Sequence, residues 1–249
     1  CEGGEMIYHG KKGQYTGGEA IGILTLESSP VAFIPGDVNN ASTYPFPIRY
    51  QNVDGFSVQK AIGKDPSIYK NLLESAKSLE QQGVRAITGG CGFMGIHQKK
   101  LAKEIEVPIF LSSLTQIPFI STIIGIDSKI GVITANAKNL TADLLTAVGV
   151  SNSSNLMIAG LEDQPNFDQF AIKETGRLDV EAVKNEVVDT AKELVADDPA
   201  IRAILLECSL LPPYALSVQN AVNLPVFDYV TMIKFVFTAV VQCSYKGFL

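Results

Sequence analysis

Thr88-Gly89-Gly90-Cys91-Gly92-Phe93-Met94 follows a short apolar run, Val84 to Ile87, and precedes a helical pattern. Glu207-Cys208-Ser209 stands in the same relation to Ile201-Arg202-Ala203-Ile204. The two cysteines are 117 residues apart (91 to 208), and the same offset carries Val84-Arg85-Ala86-Ile87 onto Ile201-Arg202-Ala203-Ile204 and Pro108-Ile109-Phe110 onto Pro225-Val226-Phe227. A strand, a cysteine, a helix and a further strand therefore occur twice in register without a gap. The chain reads as a duplicated α/β unit with one cysteine in each copy.

Each copy opens on a short apolar strand of a kind suited to a buried parallel sheet: Ile21-Gly22-Ile23-Leu24-Thr25 and Ile130-Gly131-Val132-Ile133-Thr134. Asp65-Pro66 marks a helix start, an acid at the cap and proline in the first turn, with Ile68, Leu72, Leu73, Ala76 and Leu79 as its apolar face. The matching helix of the second copy runs over Asp179 to Ala196, and Pro212-Pro213 opens another after Cys208. Further helices are expected at Thr115 to Ile124, Asn139 to Val148 and Tyr229 to Val241, with a strand at Leu156 to Ala159. Phe33 to Gly55 and Glu162 to Arg177 read as a long turn-rich loop and a polar loop.

This alternation predicts an α/β protein of two similar doubly wound parallel-sheet lobes related by a pseudo-twofold axis. The expected division is residues 1–113 for the first lobe, completed by a C-terminal helix over 229–249, and 114–228 for the second. Ligands of such sheets bind beyond the carboxyl ends of the strands, where both cysteines fall. The cleft between the lobes is the expected active site.

With 46% hydrophobic and 18% charged residues in 249, the composition is that of a globular protein, and a net charge of −6 argues against nucleic acid or an anionic membrane as partner. Val107 to Ile126 carries no charge but is interrupted by Pro108, Pro118 and hydroxyl residues, so a strand, a turn and a helix are expected there rather than a membrane span. Cys1 to Gly18 shows no apolar core of a signal peptide, and a cytoplasmic location is expected. Four cysteines form no disulfide framework; Cys243, in an apolar pattern, is expected to be buried.

Two thiols facing one cleft suit proton transfer at carbon. One thiolate takes a proton from one face of a carbon acid and the opposite thiol returns one on the other face, which inverts a stereocentre without a cofactor. Gly90 and Gly92 would let backbone approach a ligand. There is no Cys-x-x-Cys, and His9 and His97 are the only histidines, so neither a metal site nor disulfide exchange is expected. His97 is expected half-exposed on its helix, with the cleft as the alternative.

At these residues the chain resembles the aspartate/glutamate racemase superfamily, which includes hydantoin racemases, maleate isomerases and arylmalonate decarboxylases. The resemblance rests on Ile34-Pro35-Gly36-Asp37, Gly89-Gly90-Cys91-Gly92-Phe93, Ser112-Ser113, Gly131-Val132-Ile133-Thr134, and Glu207-Cys208-Ser209 with Pro212-Pro213-Tyr214. It implies two α/β lobes, Cys91 and Cys208 as the acid/base pair, and no pyridoxal phosphate. It further implies Ser112, Thr134 and Ser209 as carboxylate binders and Asp37 as a cleft residue; Gly92, Phe93 and Ser113 complete the substrate-binding set. Racemases of the superfamily usually show Asn-Thr where Gly92-Phe93 stands here. Algal dimethylsulfoniopropionate lyases also look similar around the Pro-Gly-Asp and Gly-Gly-Cys-Gly-Phe stretches. The leading expectation is an isomerase, a cofactor-independent racemase or epimerase of an amino acid or related carboxylate. Its alternatives are a lyase or decarboxylase using the same cysteines and a two-lobed binding protein without chemistry. The expected partner is a small-molecule carboxylate, and a homodimer is left open.

Overall fold

The first copy forms a parallel sheet in the order β2-β1-β3-β4, from β1 (Ile21–Thr25), β2 (Ile48–Asn52), β3 (Ala86–Gly89) and β4 (Ile109–Phe110). The second forms β6-β5-β7-β8, from β5 (Lys129–Thr134), β6 (Leu156–Gly160), β7 (Ile201–Leu206) and β8 (Val226–Phe227), also parallel. Their registers superpose. Ile21 pairs with Ala86 and Leu24 with Gly89; the equivalent residues Ile130 and Ala203, and Ile133 and Leu206, pair in the second sheet. The chain is described from a computed structural model covering residues 7, 9, 10, 12–27, 30–125 and 127–248. Cys1 and Ile126 lie outside the described residues.

Helices α1 (Val58–Ile62), α2 (Tyr69–Gln81), α3 (Gln98–Leu101), α4 (Ile117–Ile124), α5 (Ala142–Ala147), α6 (Pro165–Phe167), α7 (Val180–Asp197), α8 (Ala215–Val222) and α9 (Tyr229–Val240) flank the sheets. α2 buries Leu72, Ala76 and Leu79. Leu79 needs the glycine of the Ile-Gly strand: a Cβ on Gly22 would lie 2.9 Å from Leu79 Cδ1. α7 buries Val183, Val187, Ala191 and Leu194, and its cap Asp179 accepts the Ala182 N–H at 3.1 Å. The helices after the last strands are exchanged. α4 follows β4 but packs on β5 and β7, whereas Tyr229, Met232 and Ile233 of α9 pack with Ile21, Ile23, Ala86 and Phe110 of the first sheet. This crossing ties the copies together. Cross-copy hydrogen bonds add to it: Ser113 Oγ donates to the Glu207 carbonyl at 3.0 Å, and Tyr229 Oη to the Leu111 carbonyl at 2.9 Å.

Four expectations need correction. Phe33 to Gly55 contains the edge strand β2, whose residues Ile48-Arg49-Tyr50-Gln51-Asn52 pair on one side only and so carry no continuous apolar run. Glu162 to Arg177 holds α6 and a π-helical turn, Asp168–Ile172, ordered because Phe167, Phe170 and Ala171 are buried. Cys243 is exposed, because α9 ends at Val240 before it. His97 is buried (site below). Among the described residues no helix is long and apolar enough to cross a membrane; the uncharged run is divided into β4, a 3-10 turn at Ser113–Gln116 and α4.

Candidate active site

β3 ends against closely approaching backbone. A Cβ on Gly89 would lie 2.6 Å from the Leu111 carbonyl oxygen, and one on Gly90 would lie 2.9 Å from Asn39 Oδ1, so both positions exclude a side chain. Cys91 follows in extended conformation as the cap of a 3-10 turn, Gly92–His97, and its sulfur receives the backbone N–H groups of Phe93 and Met94. Cys208, two residues past β7, receives one, from Leu210. Both thiols open into one cavity of about 420 Å³ between the copies.

The cavity wall combines several chemistries. Leu26, Val31, Val58 and Ile62 make an aliphatic side, and Phe33, Tyr50 and Phe93 supply aromatic rings. Polar atoms come from Thr25, Asn39, Asn52 and Ser209, and acids from Glu27, Glu174 and Glu207. None of its described lining residues is Lys, Arg or His. Asn39 Oδ1 is buried without a hydrogen-bond partner.

Glu207 is fully buried between the two cysteine turns. Its Oε2 accepts the Thr134 hydroxyl at 2.8 Å and its carboxylate also takes the Ala135 N–H, while Oε1 has no partner. Burial pushes its pKa up to about 7 against those two hydrogen bonds. The residue after Cys91 makes room for it: a Cβ on Gly92 would lie 1.7 Å from Glu207 Oε1. Burial first and the Glu207 charge second push the Cys91 thiol up to about 12, and the same two causes push Cys208 well above the ordinary thiol range. The first thiol, with two N–H donors to one, holds a negative charge better.

Of the residues expected at the site, Cys91, Gly92, Phe93, Cys208 and Ser209 line the cavity, and Ser209 Oγ also donates to the Gly90 carbonyl at 2.7 Å, joining the two turns. Four others are not among its lining. Ser112 Oγ accepts the Leu114 N–H, Ser113 is committed to the carbonyls of Leu206 and Glu207, and Thr134 holds Glu207. Asp37 is 1% exposed and accepts the Asn39 N–H at 2.7 Å; burial raises its pKa to about 7, and its charge reaches Cys208, Tyr50 and Tyr214. His97 is buried beside the Tyr69 ring at 5.7 Å, outside the cavity lining, and burial lowers its pKa to about 4. Glu207, Asn39, Tyr50 and Glu174 had no expected role. Only Glu207 carried a signal, its place beside Cys208.

The fold is shared with racemases and a decarboxylase. Unliganded arylmalonate decarboxylase matches with a TM-score of 0.55 at 13% identity over 90% of this chain and 94% of that one. A glutamate racemase of Bacillus anthracis gives 0.58 at 14% (90% and 82%), and the allantoin racemase of Pseudomonas fluorescens 0.59 at 16% (89% and 91%). No family model matches. Sequence similarity is higher elsewhere. Dimethylsulfoniopropionate lyase of Durusdinium sp. clade D is 32% identical over 209 residues, 81% of this chain and 69% of the relative. Dimethylsulfoniopropionate lyase 7 of Emiliania huxleyi is 35% identical over 224 residues, 85% and 64%. The chain belongs to the dimethylsulfoniopropionate lyase family. It spans 57% of the length of lyase 3 of Emiliania huxleyi, and so little more than half of some relatives. These relatives overturn the expectation of an isomerase: the racemase likeness is one of fold, and the family named by sequence is one of lyases.

Proposed function

We propose that the chain is a carbon–sulfur lyase acting on dimethylsulfoniopropionate or a close β-sulfonium carboxylate. The observation that carries the reading is the cavity lining: two thiols, three glutamates and three aromatic rings, with no Lys, Arg or His among the described residues. An amino dicarboxylate carries two carboxylates against one ammonium and would meet no cationic side chain among the described lining residues. A sulfonium zwitterion brings its own cation, which Glu27, Glu174 and the faces of Phe33 and Tyr50 suit. The names of the sequence relatives support the same substrate.

The chemistry follows from the substrate. The proton α to the carboxylate is acidified by that group, and the sulfonium at the β-carbon is a neutral leaving group in waiting. A thiolate, Cys91 in this arrangement, takes the α-proton. The electron pair left on carbon forms the C=C bond, the C–S bond breaks with its pair going to sulfur, and dimethyl sulfide and acrylate result. No redox step or external electrophile is needed. An apolar wall keeps water from the carbanion and strengthens the attraction between the sulfonium and the acids.

Calorimetric titration tests the reading through its charge argument. The sulfonium substrate, bound to a Cys91→Ser variant, is expected to bind at least about tenfold more tightly than 3-(methylthio)propionate, which lacks only the charge and one methyl; about 1.4 kcal/mol corresponds to that ratio. Equal binding of the two would sink it.

A further inference from the structure

Glu207 is an expensive residue to bury. It is fully enclosed, it satisfies one oxygen through Thr134 and leaves the other, Oε1, without a partner. A buried carboxylate with one oxygen unpartnered costs stability that an apolar side chain would not. Yet the fold is shaped around it. Gly92 offers bare backbone to Oε1, so a carboxyl from the second copy packs directly on the residue after the first copy's cysteine, and its charge acts on both thiols.

We propose that Glu207 is the proton acceptor for the thiol that serves as base: at rest the pair of Cys91 and Glu207 carries one negative charge, on the carboxylate, and passes it to sulfur when substrate is bound. The inference rests on the reading of a cysteine as the base. The proton balance closes. Glu207 takes the thiol proton, leaving Cys91 as thiolate and Glu207 neutral. The thiolate removes the α-proton and is a thiol again, the substrate electrons leave with dimethyl sulfide, and the surplus proton goes from Glu207 to solvent. Burial is the larger cause of the raised thiol pKa and the charged carboxylate the second; once the proton has moved to Glu207, the second is gone.

Glu207→Gln separates this role from a bystander charge, because the two roles give opposite signs. Removing a neighbouring negative charge makes the thiol easier to ionise, so the pH midpoint of Cys91 alkylation by iodoacetamide, read on its peptide by mass spectrometry, falls by about a unit or more in either case. A bystander would then leave turnover equal or faster. A proton acceptor leaves it roughly 100-fold slower or worse at pH 7.5, in the range general-base catalysis supplies. Unchanged or faster turnover, or an unmoved alkylation midpoint, overturns the inference. Should the glutamine variant not fold, Thr134→Val removes the hydroxyl donor to Oε2, and the acidic limb of the pH–rate profile should move upward; an unmoved limb overturns it too. The alkylation arm needs no substrate. Failure of the wild-type chain to release dimethyl sulfide would therefore count against the proposed function, while an unmoved alkylation midpoint would count against Glu207 whatever the substrate.

Discussion

Replacing Gly92 by alanine should cost far more than one methyl group. The new Cβ would lie 1.7 Å from Glu207 Oε1, 2.4 Å from its Cδ and 2.9 Å from its carbonyl oxygen. A shift of a few tenths of an ångström does not relieve such an overlap, so the carboxyl must swing away. That motion breaks the 2.8 Å bond from the Thr134 hydroxyl and the bond from the Ala135 N–H. Hydrogen bonds to a charged group contribute about 1.5–3 kcal/mol each, so a loss of about 3–6 kcal/mol is expected. That is a large part of the ~5–15 kcal/mol by which a protein is ordinarily stable. For a chain of this size it corresponds to a fall in Tm on the order of 10 °C. Thermal unfolding followed by circular dichroism reads it directly. The control is the same substitution in a Glu207→Ala background, where the two shortest contacts are gone and the 2.9 Å approach to the carbonyl oxygen remains; there Gly92→Ala should cost less, the difference being the coupling of the pair. Equal loss in both backgrounds, or a Gly92→Ala protein as stable as the parent, would refute the contact.

Asp37 is raised to about 7 by burial, and an unfolded aspartate titrates near 4, so the folded protein binds the extra proton between them. Its contribution to stability is therefore fully present below about pH 4 and lost as pH rises through about 7. Asp37→Asn should flatten that slope, gaining more at pH 8 than at pH 5 in urea unfolding; a parallel shift at both pH values would contradict the sign. Leu79→Ala, at a fully buried side chain seated on Gly22, should lower stability by about 2–5 kcal/mol, measured by the urea midpoint. Among the described thiols, exposed Cys243 should react first with iodoacetamide, then Cys91 with two N–H donors, then Cys208 with one; peptide mapping showing Cys208 ahead of Cys91 would reverse the assignment of the base.

The duplication was legible because it is written in residues that cannot vary without breaking the sheet. Ile-Gly strands recur since Gly22 admits Leu79, and a Cβ on Gly131 would lie 2.8 Å from Ile204 Cδ1. Edge strand β2 was not legible, since half of its backbone faces no partner and its side chains need not be apolar. The α6 region had a signal, Phe167, Phe170 and Ala171 at helical spacing, but polar neighbours masked it. His97 ends a 3-10 turn, whose three-residue period places it on a different face from the one an α-helical reading gives. The cysteine pair could be found by repeat alone. The role of Glu207 could not: it arises from a contact with Gly92 across the two copies, and a glycine in sequence does not say what fills the space it leaves. The hydroxyls of Ser112, Ser113 and Thr134 show the converse, since a hydroxyl at a strand end serves a backbone or carboxyl partner as readily as a ligand.

The decisive assay of the proposed lyase is incubation of the purified chain with dimethylsulfoniopropionate, following dimethyl sulfide in the headspace together with acrylate by proton NMR. The two products are expected in equal amounts, with a loss of at least about 1000-fold, some 4 kcal/mol in transition-state stabilisation, on Cys91→Ser. Intact substrate after incubation with the wild-type chain, or undiminished release by the serine variant, would contradict it.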